Sequence, residues 1–98
     1  MITTQRRLIP KTHGELVITL PTNSKFVSLV DAGQGLGILT IVDNTTTTVT
    51  KWHLFVSLLG FKVPENAYLL GCTSDGSATL WSYQEGIEWC GKSPQQTT

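Results

Sequence analysis

"VTKWHLFVSLL" (Val49–Leu59) decides the fold class. In an extended chain Trp52, Leu54, Val56 and Leu58 share one face, and His53, Phe55 and Ser57 share the other. The apolar period is two rather than 3.6, and the branched and aromatic side chains suit a pleated surface, so the stretch predicts a strand. Four threonines, Thr45–Thr48, stand directly before it and are read as a polar edge entering the same buried strand.

The same signals recur on both sides. Downstream, residues 60–66 form a loop in which Pro64 pushes Val63 toward extended backbone. "AYLLGC" (67–72) and "SATLWSYQ" (77–84) then flank "TSDG", whose Asp75-Gly76 pair is a strong hairpin signal. Upstream, "GILTIVD" (Gly37–Asp43) is stopped by Asn44 and joined through the glycines of "AGQGLG" to "KFVSLVD" (Lys25–Asp31). "ELVITL" (Glu15–Leu20) is closed by Pro21, Thr22 and Asn23, which predicts an antiparallel pair with Lys25–Asp31. "QRRLI" before Pro10 adds one more short strand. The one place for helical geometry is a single turn near 64–69, with Pro64 at its first position.

The sum is an all-β chain of six or seven antiparallel strands, arranged as a small meander barrel or a sandwich. Residues 1–85 are expected to form the one domain that 98 residues allow, and 86–98 a C-terminal extension, polar and disordered from 91. Phe26, Leu39, Ile41, Leu54, Val56, Leu70, Leu80 and Trp81 are the expected core.

Composition narrows the function classes. Charged residues are only 14% and the formal net charge is zero, so the chain lacks the basic footprint of a sequence-independent nucleic-acid binder. Its basic cluster, Arg6, Arg7 and Lys11, fits a solvated strand end better than a phosphate-binding arm. No apolar run approaches the roughly 20 residues of a membrane helix, and "MITTQRRLIP" lacks the apolar core of a signal peptide. The cytoplasm is the expected compartment, and no membrane partner is expected. Cys72 and Cys90 are too few for a disulfide framework or a metal cluster, so both are expected as free thiols, Cys72 shielded in a strand and Cys90 reactive near the tail.

Candidate chemistry is sparse. His13 sits in a turn and His53 in mid-strand, Asp31 and Asp43 end strands where turn initiation explains them, and the two cysteines lack metal-ligand spacing. "GQGLG" (33–37) is followed by a strand, whereas a phosphate loop needs a helix to aim its amides. No catalytic, cofactor or metal site is therefore expected, and the chain is read as no enzyme. Trp52, His53, Phe55, Trp81 and Tyr83 form the candidate ligand or partner face, because aromatics on a sheet can stack bases or receive a partner. Ile87 and Trp89 lie one strand period apart beyond Tyr83 and are the candidate oligomer contact.

Several short words, Leu20-Pro21, "FVSLVD", "ILTIVD", "HLFVSLLGFKVPEN", "YLLGC" and "TLW", occur in an order and spacing that resembles a family of small uncharacterised β-rich bacteriophage and prophage proteins. The resemblance spans about residues 6 to 84. It departs from the family at Phe61-Lys62-Val63, where the family's loop often carries a histidine, and in the stretch from Glu85 to Thr98. An orphan gene-cassette protein of a bacterial integron shares the same build. The resemblance implies a mobile-element origin and a β fold, not a mechanism. The expected function is protein–protein contact and self-assembly as a homo-oligomer. The alternative is a small-molecule or single-stranded nucleic-acid binding module on the aromatic face.

Overall fold

The apolar alternations along the chain become strands, and the computed structural model, which describes residues 1–83, contains seven strands in all. They are β1 (Ile2–Pro10), β2 (Gly14–Pro21), β3 (Lys25–Asp31), β4 (Gly35–Asp43), β5 (Val49–Leu58), β6 (Tyr68–Cys72) and β7 (Ala78–Ser82). All pairings are antiparallel. One sheet has the order β1-β4-β3 and the other β2-β5-β7-β6. The sheets do not close on each other, so the fold is a sandwich rather than a barrel. No helix occurs among the described residues.

Between the sheets lies one apolar core, built from Ile9 on β1, Ile18 and Leu20 on β2, Phe26 and Leu29 on β3, Leu36 and Ile38 on β4, Trp52, Leu54 and Val56 on β5, and Leu70, Ala78 and Leu80 from the final hairpin. The facing of β5 agrees with the alternation that predicted it. The hairpin of β6 and β7 also forms as expected, with Gly76 at φ 75° in its turn. The strands from Lys25 and Gly35 pair through the glycine-bearing turn, where Gly33 takes φ 88°.

Other expectations are corrected. β2 and β3 do not pair: β2 joins β5 and β3 joins β4. The turn between them is held by the Ser24 hydroxyl and amide, both donating to the Pro21 carbonyl, and it carries the chain from one sheet to the other. Crossing lets Leu20 and Phe26 both enter the common core, which a hairpin in one sheet would not require. The strand before Pro10 begins at Ile2, since β1 pairs with β4 along its whole length. Thr45–Thr48 form a loop instead of a strand: Thr45 bonds the Asp43 carboxylate, and Thr48 donates to Thr22, so their hydroxyls satisfy a crossover between sheets. No helical turn forms near 64–69, where Asn66 takes left-handed backbone at φ 58° and β6 begins at Tyr68.

Leu39, Ile41 and Trp81, expected in the core, lie half-buried on outer faces. β4 is apolar on both sides, and its register places Leu36, Ile38, Thr40 and Val42 inward instead. Thr40 meets the cost of burial by donating its hydroxyl to the Gln5 carbonyl. Cys72, expected to be shielded, is exposed. A bulge between Leu69 and Gly71 reverses the alternation of β6: Leu70 faces in, Gly71 lies opposite inward Leu80, and Cys72 is turned out opposite Thr79. Gly71 packs directly under Phe26: a β-carbon there would stand 3.1 Å from the ring, which would have to give by a few tenths of an ångström.

Candidate functional site

The five residues of the expected aromatic face divide between the two sides of their sheet. Trp52 points inward and is buried in the core, since its even position on β5 shares the face of Leu54. Phe55 lies opposite Trp81 in the β5–β7 register, on the outer face. His53 is exposed on the same face, and Tyr83 follows β7 with its ring 6.4 Å from Phe55, edge to face. Trp81 is anchored by its indole N–H, which donates to the Thr79 hydroxyl at 2.8 Å.

Three residues join this cluster without having been singled out for it. His13, from the connection between β1 and β2, meets Phe55 edge-on at 5.1 Å and lies tilted over Phe61 at 4.8 Å. Its Nδ1 accepts the Leu58 amide at 3.3 Å. Glu15 accepts a long hydrogen bond from the Tyr83 hydroxyl, 3.4 Å. Partial burial, with the Glu15 charge beside it, raises the Tyr83 phenol above its ordinary value of 10.0. Only the pairing of β2 with β5 brings Glu15 opposite Phe55, so no local signal in the sequence marks it.

Two shallow depressions flank this group. One, of ≈ 220 Å³, is lined by Glu15, Leu16, Val17, His53, Leu54 and Tyr83. The other, of ≈ 250 Å³, lies beside His13 and Pro10. Among the described residues no group of three or more His, Cys, Asp or Glu side chains gathers as for a metal ion. Asp31 and Asp43 terminate β3 and β4 at opposite ends of β4, as its antiparallel pairing requires, and serve their turns. Asp31 is lowered by Lys11 at 2.7 Å and the Gly33 amide, Asp43 by the Thr45 hydroxyl and amide. Ile87, Trp89 and Cys90 lie outside the described residues, as does the whole 86–98 extension.

The sandwich has two unlike flanks. On one, edge strands β3 and β6 each carry a bulge, β6 is only five residues long, and Phe26 packs beneath Gly71 to join them. Bulges and short strands are devices that discourage further pairing. On the other flank, β1 and β2 run nine and eight residues in unbroken register. Their exposed side chains include Ile2 at 71%, Leu8 at 63% and Val17 at 53%. Across this flank the Arg7 guanidinium donates to the Thr19 carbonyl at 3.2 Å.

No protein-family model, curated protein or solved structure matches this chain.

Proposed function

We propose that this chain is a non-catalytic contact module that associates with copies of itself through the flank of β1 and β2. The observation that carries this reading is the contrast between flanks: one carries two bulges that discourage further pairing, and the other is long and regular, with Ile2, Leu8 and Val17 exposed among its polar residues. A regular edge strand offers a row of backbone donors and acceptors that another strand can complete. The proposal includes action in the cytoplasm without a cofactor, and the mobile-element origin suggested by the family resemblance. No helix among the described residues is long and apolar enough to cross a membrane.

Sedimentation velocity of the full chain from low to high micromolar concentration tests the reading. A sedimentation coefficient that rises with concentration supports it; a monomer throughout the range removes it.

A second reading places a small ligand in the depression beside Glu15, His53 and Tyr83. The Glu15 carboxylate there favours a neutral or cationic aromatic compound over a phosphate-bearing strand. A ligand present at 100 times its dissociation constant would stabilise the fold by about 2.7 kcal/mol, visible in a melting screen.

A further inference from the structure

β1 presents its free backbone in a particular phase. The Met1 carbonyl accepts the Asn44 amide at 2.8 Å, and the Gln5 carbonyl accepts the Thr40 hydroxyl, so the odd residues of β1 aim their backbone groups at β4. In an antiparallel ladder alternate residues point opposite ways. Ile2, Thr4, Arg6 and Leu8 therefore direct their N–H and C=O groups outward, along an edge that no other strand of the described residues pairs. Their side chains stand on the outer face of the sheet, beside half-buried Leu39 and Ile41.

We propose that two copies of this chain pair antiparallel through β1, about a two-fold axis at Gln5, and join their three-stranded sheets into one of six strands. This rests on the reading of the β1–β2 flank as the contact surface and names the strand and register within it. The segment is complementary to itself in this register. Ile2 faces Leu8 of the other copy, and Thr4 faces Arg6, at both ends of the axis. All four outward residues then form hydrogen-bonded pairs, roughly eight hydrogen bonds in total. The exposed Ile2 and Leu8 cover one another, which is the cross-strand pairing that stabilises sheets.

Neighbouring registers are poorer. Moving the axis to Arg6 sets two guanidiniums directly opposite and brings Pro10, which has no N–H, against Ile2. Moving it to Arg7 again opposes like charges. Moving it to Thr4 sets Ile2 against a guanidinium and leaves Leu8 without a partner. Like charges directly opposite are destabilising in a sheet, and proline interrupts a ladder. The β2 edge is less open to a partner strand, since its Thr19 carbonyl already receives the Arg7 guanidinium.

Two substitutions at one position test the register. Thr4→Pro removes an amide that points away from β4, a site where an edge strand tolerates proline. It should weaken association more than about tenfold and leave the β-type circular dichroism and urea midpoint of the monomer in place. Thr4→Glu sets a carboxylate opposite Arg6 of the other copy, twice per dimer, and should tighten association about 2- to 30-fold at low salt. Both are read by sedimentation equilibrium on the full chain. Association unchanged by Thr4→Pro overturns the β1 pairing. Weakening by Thr4→Pro without tightening by Thr4→Glu overturns the register. If association survives Thr4→Pro but is lost in Val17→Pro, the flank reading stands with β2 as its contact; if the parent chain is monomeric, that reading falls as well.

Discussion

Replacing Leu54 by alanine probes the centre of the core. Leu54 is 0% exposed and sits in mid-β5, opposite Leu16 of β2 on one side and Ser82 of β7 on the other. The substitution deletes three carbons, worth about 2.4 kcal/mol at about 0.8 kcal/mol for each buried CH₂. β5 is hydrogen-bonded on both edges, so the backbone cannot move in to fill the void. A residual cavity of roughly 60 Å³ then adds about 1.4 kcal/mol, at about 24 cal/mol per Å³. The expected loss is about 4 kcal/mol, a large part of the 5–15 kcal/mol that typically holds a domain. Leu39→Ala is the matched comparison: the same atoms are deleted from a half-buried position on the outer face of β4, and the loss should stay near about 1 kcal/mol. Urea unfolding, followed by tryptophan fluorescence, to which buried Trp52 contributes, measures both. Protein concentration is held low and constant, because self-association would add to the apparent stability. If Leu54→Ala costs less than about 1 kcal/mol, or if Leu39→Ala costs as much as Leu54→Ala, the assignment of inner and outer faces is wrong.

Cys72 should react with a thiol reagent in the native protein at a rate close to that in urea, since it is exposed at the end of β6; strong native protection would contradict the bulge that turns it outward. The Asp75 carboxylate, held down to about 2 by the Ser77 amide and then the Thr73 hydroxyl, stabilises the fold above its ordinary value of 3.8 and ceases to do so as pH falls through about 2. The urea midpoint should therefore drop from pH 5 to pH 2, and Asp75→Asn should flatten that drop; an equal drop in the variant would remove Asp75 as a cause. Gly76→Ala forces a β-carbon onto φ 75° and should cost about 1–2 kcal/mol, read as a lowered urea midpoint. Gly71→Val should cost more than Gly71→Ala, because larger groups run further into the Phe26 ring; equal midpoints for the two would mean the ring is not packed there.

Alternation in Val49–Leu58 and the turn chemistry of Asp75-Gly76 made strands legible wherever local rules operate. Period two, branched side chains and glycines at positive φ act over a few residues, so a sequence displays them directly. The strands, the two true hairpins and the buried face of β5 belong to that category. The partners of β2 and β3 do not. Pro21-Thr22-Asn23 can end a strand in a hairpin or in a crossing to the other sheet, and the choice depends on where Leu20 and Phe26 find a common core. The facing of β4 was equally hidden, because both its sides are apolar and only its position between β1 and β3 turns Ile38 and Thr40 inward. Bulges moved Cys72 and Gly71 by one step of the alternation, and a one-residue shift exchanges inside for outside. The gathering of His13, Glu15, Phe55 and Tyr83, and the contrast between flanks, arise from residues far apart in the chain. Local sequence determines which segments extend; the shared burial of their apolar faces determines which of them meet, and therefore which edge is left open.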